Sequence, residues 1–284
     1  MNKDPRIRDV WQKRSFKSLL STSQRDAVVI VGYSDDEGVR NNNGRAGAKF
    51  GPERILHYLG RLVLHSPQPK IFVLSDSIPK VSLKKRHEIA ESRLYELFKR
   101  SYRVLTLGGG HDYAYPDASA FFRSTSSKVL NIDAHLDVRE VAKAINSGTA
   151  FRRFSERFGG RHIIQWGLQA HCNSSENIRW AKDQKMKCLS YLKPWPKLSP
   201  ATGLSICLDA FAGIRGVSAP SFIGPSPSVG IEIVRYYSKQ TRWAGIYESA
   251  PKLDPLTEDS ARLGALLAYH FIYRGRIDEG NFFQ

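Results

Sequence analysis

The 284-residue chain has only three cysteines, Cys172, Cys188 and Cys207. They are odd in number and lack metal-finger spacing, so no disulfide framework is implied and a reducing cytoplasm is expected. Long apolar runs are missing too. The longest, such as Ala27 to Val31, are far too short to cross a bilayer, and Met1 to Arg14 is charged with no apolar core of signal-peptide length. Neither a membrane protein nor a secreted one is expected. Internal repeats are absent, and the Pro-rich stretch Lys193 to Pro200 has only a loop's length, so a single domain over residues 1–284 is expected. Acidic residues are scarce: 27 Asp and Glu stand against 43 Lys and Arg, for a net charge of +16. Such a surplus favours anionic partners. Nucleic acid is not the expected one, because the basic residues are dispersed, with only Lys84 to Arg86 forming a short run, and no nucleic-acid motif is present.

What is present suits a globular protein, with 41% apolar and 25% charged residues and enough length to bury a sizeable core. Short runs rich in Val, Ile and Leu recur at 27–32, 70–74, 103–107, 128–132, 162–167, 204–208 and 242–247. They read as strands buried on both faces, as in a parallel sheet. Helical patterns lie between them. Pro52 suits a first helical position, and Ile55, Leu56, Leu59, Leu62 and Val63 follow one face. Ser82 caps a predicted helix reaching Arg100, with Ala90, Leu94, Leu97 and Phe98 inward. Thr257 is the expected cap of a last helix that buries Leu263, Leu266, Leu267 and Phe271. Strands alternating with helices predict an α/β fold with its chemistry at the carboxyl edge of the sheet.

Three strand ends carry chemistry. In Asn131-Ile-Asp-Ala-His-Leu-Asp-Val-Arg139, the residues Asp133, His135 and Asp137 recur with period two, which in an extended chain points all three side chains one way. Two carboxylates and an imidazole on one spot compete unless a cation holds them, and the set suits Mn²⁺, Zn²⁺ or Fe²⁺; the alternative is a solvated polar turn. Gly108-Gly-Gly-His-Asp112 allows a sharp turn that presents His111 at the sheet edge, although a lone His in a Gly loop is commonly structural. Ser205-Ile-Cys-Leu-Asp209 places Cys207 and Asp209 on one face by the same alternation, although Cys is a common core residue and Asp a common strand end.

Taken in order, these strand ends resemble the ureohydrolase superfamily, the arginase, agmatinase and formimidoylglutamase group. Ser147-Gly-Thr-Ala-Phe151, Gly216-Val-Ser-Ala-Pro220 and Gly38-Val-Arg-Asn-Asn-Asn-Gly-Arg45 before Gly51-Pro52 are similar to the formimidoylglutamase branch. Glu248, followed by Pro251 and Asp254, is similar to the family's Glu-x-x-Pro segment. The resemblance runs from about Val31 to Phe271. It implies a three-layer α/β/α arginase-like domain with a mainly parallel sheet, a homo-oligomer, and a binuclear metal site. One ion would take His111, Asp133, Asp137 and the Cys207 position; the other would take Asp133, His135, the Cys207 position and Asp209.

Arginases carry a proton-shuttling His where this chain has Phe151, and an Asn where it has Arg139. The resemblance therefore implies a formimidoylglutamase rather than an arginase: hydrolysis of the linear amidine C–N bond of N-formimidoyl-L-glutamate to glutamate and formamide by metal-activated water. Asp137 would relay a proton to the departing amine, Glu248 would hold the amidinium, and Arg139 and Ser147 would contact the substrate, with Arg139 suited to fork onto a carboxylate. Cys207 departs from the family pattern, which has a metal-bridging Asp there. A thiolate is softer and favours Zn²⁺ or Fe²⁺ over the family's Mn²⁺. The competing expectations are an amidinohydrolase of a guanidino acid and a catalytically silent relative that binds a ligand or another subunit.

Overall fold

The computed structural model describes residues 4–276 except Ser23, Lys143 and Pro200; Met1 to Lys3 and Pro200, parts of two segments read above, lie outside the described residues. Its strands are β1 (Trp11–Arg14), β2 (Val28–Gly32), β3 (Ile71–Leu74), β4 (Arg103–Leu107), β5 (Val129–Ile132), β6 (Ile163–Leu168), β7 (Lys187–Ser190), β8 (Gly203–Cys207) and β9 (Trp243–Tyr247). They form one sheet in the order β1-β3-β2-β4-β9-β8-β5-β6-β7, with every pairing parallel. The helices are α1 (Phe16–Leu20), α2 (Glu37–Asn41), α3 (Gly51–Leu59), α4 (Leu83–Lys99), α5 (Ala114–Thr125), α6 (Ala150–Phe158), α7 (Ser175–Asp183), α8 (Pro227–Tyr237) and α9 (Asp259–Ile272).

Alternation along the strands builds the layers. Val28 and Ile30 pack into one apolar cluster with α3, α8 and α9, while Val29 and Val31 pack into the other with α1, α4, α5 and α6. Side chains of successive strand residues point to opposite faces, so a strand between two helical layers must be apolar throughout. The result is the three-layer α/β/α arrangement expected from the sequence, with a sheet that is wholly parallel.

The seven apolar runs become β2, β3, β4, β5, β6, β8 and β9, each within a residue of the expected bounds. β1 and β7 were not foreseen. They are the two edge strands, and Trp11-Gln-Lys-Arg14 and Lys187-Cys-Leu-Ser190 bury little, so neither carries a continuous apolar run. Ser82 does cap α4, its Oγ accepting from Lys85 N. Two helix ends differ from expectation. α3 stops at Leu59, leaving Leu62 and Val63 beyond it with Val63 exposed. Thr257 does not cap α9: its hydroxyl donates to Asp254, the residue before the helix is Glu258 in the left-handed region (φ 48°), and Leu266 faces outward.

The four central strands set the height of the site. Leu107, Ile246, Ile206 and Ile132 lie abreast across β4, β9, β8 and β5, so the chain leaves all four strands at one level. Behind them, Asp117 on α5 is fully buried and accepts hydrogen bonds from Tyr33 Oη (2.8 Å) and Tyr247 Oη (2.6 Å).

Burial pushes the Asp117 carboxyl up to about 7 despite those bonds. A carboxyl whose pKa rises on folding holds its proton more firmly in the native state, so its contribution to stability is complete below about pH 4 and is lost as pH rises toward 7. Asp117→Asn is expected to flatten the fall in melting temperature between pH 4.5 and 7.5. Thermal melts of parent and variant with the same pH slope would contradict this.

Candidate metal centre and substrate pocket

Each of the four central strands delivers a polar residue to one cavity of about 270 Å³. After β4, the Gly108–Gly110 turn presses against neighbouring backbone: Gly108 N donates to Ile246 O (2.7 Å) and Gly110 N to Asp35 O (3.0 Å). A Cβ on Gly109 would lie 1.6 Å from Asp35 O, so this position admits only glycine. The turn delivers His111, whose Nε2 meets Ser205 Oγ at 2.9 Å. Its Nδ1 then faces the carboxylates, 2.9 Å from Asp133 and 2.8 Å from Asp137.

Asp133, His135 and Asp137 do converge, but not as an extended strand. β5 ends at Ile132, and the segment after it is a loop in which Asp137 adopts φ 51°. Hydrogen bonds pin that loop. His135 N donates to Asp133 Oδ1 (2.8 Å), Leu136 N to Asn173 Oδ1 (2.8 Å), and Gln165 Nε2 to Leu136 O (2.9 Å). The carbonyl of Asp137 accepts from Phe151 N and Arg152 N at the start of α6, satisfying two of the donors that a helix start leaves open.

β8 supplies Cys207 as its last residue, and Asp209 follows in a short 3-10 turn; both are buried. The alternation expected for this pair therefore holds only as far as Cys207. Glu248 follows β9 at φ 66°, buried, with Oε1 accepting from His111 N (2.9 Å) and Oε2 from Ser218 Oγ (2.5 Å).

Donor atoms of His111, Asp133 and Cys207 all lie within 4.8 Å of one another, and so do those of Asp133, His135 and Asp209. Asp133 belongs to both groups. Buried Nδ1 of His111, Oδ2 of Asp133 and Oδ1 of Asp209 have no aligned hydrogen-bond partner, although the first two are at ion-pair distance. Buried polar atoms are nearly always satisfied. A cluster of buried nitrogen, oxygen and sulfur donors, with its nitrogen and two of its oxygens lacking an aligned partner, fits a divalent cation.

The charges of the site support the same fit. Burial disfavours charge on His111, yet Asp133 and Asp137 raise its pKa well above the ordinary value; Asp209 and Asp133 do the same for His135. Asp137 is pushed up to about 6 by burial and by the Asp133 charge, and Glu248 to about 8 by burial and the nearby Asp209. Burial and three surrounding carboxylates push the Cys207 thiol far up. A bound cation reverses this logic and deprotonates a coordinating thiol.

The outer wall holds the remaining expected residues. Arg139 lines the cavity and donates from Nη1 to Asn42 Oδ1 (2.6 Å), while Asn42 Nδ2 donates to Ser147 Oγ (3.0 Å). Phe151 is fully buried behind the site, edge-on to His111 with ring centroids 5.8 Å apart, and does not line the cavity.

Sequence reasoning gave no role to Ser205, Asn42, Arg45, Asn173, Ser218 or Cys172, which orient or line the site. Ser205 stands two residues before Cys207 on the same strand face. Asn42, Arg45 and Ser218 lie inside quoted motifs. Asn173 and Cys172 carry no local signal, and the Cys172 thiol meets the His135 imidazole.

Residues 26–273 match the model of the Arginase family. A formimidoylglutamase of Staphylococcus carnosus is 28% identical, with 93% of this chain and 92% of that protein covered. A formimidoylglutamase of Geobacillus kaustophilus is likewise 28% identical over 88% of this chain and 83% of the relative. Among solved structures, a formiminoglutamase of Trypanosoma cruzi with Mn²⁺ superposes with a TM-score of 0.82 at 25% identity, over 96% of this chain and 98% of that one. With a family model matched over residues 26–273 and a wholly parallel sheet that superposes on a solved formiminoglutamase, the chain belongs to the arginase family.

Proposed function

We propose that this chain is a divalent-metal-dependent hydrolase of N-formimidoyl-L-glutamate. The observation that carries this reading is the buried pair of donor groups sharing Asp133 beside an arginine that pairs with no carboxylate among the described residues. His111, Asp133, Asp137 and Cys207 would hold one ion, and Asp133, His135, Cys207 and Asp209 the other. Such ions polarise water and lower its pKa toward neutrality. Mn²⁺ is the family's ion, while the Cys207 sulfur favours Zn²⁺ or Fe²⁺.

The chain's own groups do the rest. Glu248, oriented by Ser218 and by His111 N, accepts hydrogen bonds from the amidinium of the substrate, and that positive charge draws off the proton that burial would otherwise keep on the carboxyl. Water adds to the amidine carbon, the C–N bond to the glutamate nitrogen breaks, and formamide leaves. Asp137, which lines the cavity beside His111, is suited to pass a proton to the departing amine. Ser147 and Arg139 line the wall on which the rest of the substrate lies, with Arg139 on a carboxylate. The same reading places the chain in a reducing cytoplasm as a homo-oligomer, in keeping with three unpaired cysteines and family resemblance; no helix among the described residues is long and apolar enough to cross a membrane.

Because Asp133 serves both donor groups, Asp133→Ala is expected to abolish divalent-metal binding, and elemental analysis showing equal metal in variant and parent would refute the assignment. Hydrolysis of N-formimidoyl-L-glutamate, followed by formamide release, should be faster than hydrolysis of agmatine, followed by urea release, because agmatine has no carboxylate. Arg139→Ala should lower kcat/KM for the carboxylate substrate by roughly 10- to 100-fold, the loss of one charge-assisted hydrogen bond. Faster turnover of agmatine would sink the substrate assignment. Cys207→Asp restores an oxygen ligand of similar reach, so Mn²⁺ uptake and Mn²⁺-dependent hydrolysis should both rise. No change in Mn²⁺ affinity would show that the Cys207 side chain lies outside the coordination sphere.

A further inference from the structure

Several arginines of this basic chain meet a carboxylate: Arg40 pairs with Asp36, Arg54 with Glu258, Arg86 with Asp35 and Glu37, and Arg157 with Glu91. Arg45 and Arg139 do not. Neither forms an ion pair among the described residues, and both line the cavity that holds the donor groups. A guanidinium held at a cavity wall without a counter-charge is a ready seat for an anion, because its planar fork matches a carboxylate and its charge persists at every physiological pH.

Both guanidiniums are held at one edge and open at the other. Arg45 donates from Nε to Ser218 O (3.1 Å) and from Nη2 to Val217 O (2.6 Å), and its Nη1 has no acceptor among the described residues. Arg139 is tied through Nη1 to Asn42, and its stem lies over Gly148, where a Cβ would come within 2.9 Å of Arg139 Cδ. Asn42 and Arg45 share the loop that follows α2, so one loop orders both forks. Anchoring of this kind lowers the side-chain entropy lost when an anion binds.

The charge pattern across the cavity is complementary to one kind of ligand. Glu248, Asp133 and Asp209 are buried in the cavity lining, whereas the guanidiniums of Arg45 and Arg139 belong to exposed residues of the same lining. An amidine that carries two carboxylates presents one cation to the first and two anions to the second. We infer that Arg45 is a second carboxylate seat, so that Arg45 and Arg139 each take one carboxylate of a dicarboxylate amidine. The inference rests on the hydrolytic reading above and gives a partner to the second carboxylate of its substrate, which that reading leaves unassigned.

The test uses the full metal-loaded chain and three substrates: N-formimidoyl-L-glutamate, its side-chain amide N-formimidoyl-L-glutamine, and its α-amide N-formimidoyl-L-isoglutamine. In the parent, replacing either carboxylate by an amide is expected to raise KM roughly 10- to 100-fold with a smaller change in kcat. Arg45→Gln should abolish discrimination against one amide and keep it against the other; Arg139→Gln should do the converse. Arg45→Lys, which keeps the charge without the fork, should restore part of the lost discrimination. If Arg45→Gln keeps both discriminations, or weakens all three substrates alike as a mere staple for the Val217–Ser218 loop would, the seat is refuted.

A parent that hydrolyses none of the three refutes the hydrolytic reading but not the seat. Calorimetric binding of L-glutamate, L-glutamine and L-isoglutamine to the same proteins then decides. Preference for L-glutamate in the parent and loss of one discrimination in Arg45→Gln supports it. No binding of L-glutamate, or binding without preference, overturns it. Circular dichroism establishes that each variant is folded; should Arg45→Gln not fold, the seat stands or falls on whether Arg45→Lys narrows one discrimination and spares the other.

Discussion

The carboxylate of Asp133 stands against two imidazoles at once, 2.9 Å from His111 Nδ1 and 3.3 Å from His135 Nδ1, and is itself 1% exposed. Withdrawing a carboxylate from water costs several kcal/mol unless charge and hydrogen bonds replace the lost solvent, and here Asp137, Asp209 and Glu248 crowd the same space. The protein supplies part of the compensation through His135 N, which donates to Asp133 Oδ1. The His111 and His135 imidazoles supply more, holding the Asp133 carboxyl, despite its burial, well below the usual carboxylate range, and ions at the proposed donor groups would add to it. Much of the surrounding architecture holds this charge cluster in place: glycines that let the β4 turn touch the β2 loop, Asn173 and Gln165 gripping the β5 loop, and α6 fixed on the carbonyl of Asp137.

A parallel sheet suits such a cluster because all its strands end on the same side. The chain places β8 and β9 between β4 and β5, so the loops after β4 and β5 are separated by two strands that come from far along the sequence. Crevices at such switches are where open α/β sheets bind ligands. The crevice here is lined by residues from Asn42 to Glu248, so the site exists only where these sequence-distant segments meet. The surplus of positive charge has a local counterpart in Arg45 and Arg139, which form no ion pair among the described residues and line the same cavity as the acidic groups.

Legibility in the sequence followed burial. Seven strands could be read because each must be apolar on both faces, and α4 because Ser82 and its inward Ala90, Leu94, Leu97 and Phe98 agree. β1 and β7 escaped because an edge strand packs little and its residues need not be apolar. Leu266 was placed inward by periodicity, but α9 shows it to solvent, and Thr257 spends its hydroxyl on Asp254. The chemistry-bearing residues could be named because Asp, His and Cys at strand ends are conspicuous. Their geometry could not: period two would align Asp133, His135 and Asp137 along an extended strand, whereas a loop with Asp137 in the left-handed region brings them together. Ser205 and Asn42 were opaque because a partner that orients another side chain has meaning only once the chain has folded.

The central claim is that Asp133, its two imidazoles and Cys207 form a metal centre, and X-ray absorption spectroscopy of Zn²⁺-reconstituted protein tests it most directly. The account predicts a first shell of nitrogen and oxygen scatterers with sulfur at about 2.3 Å, and loss of the sulfur in Cys207→Ser. A shell of oxygen alone, unchanged by that substitution, would contradict it.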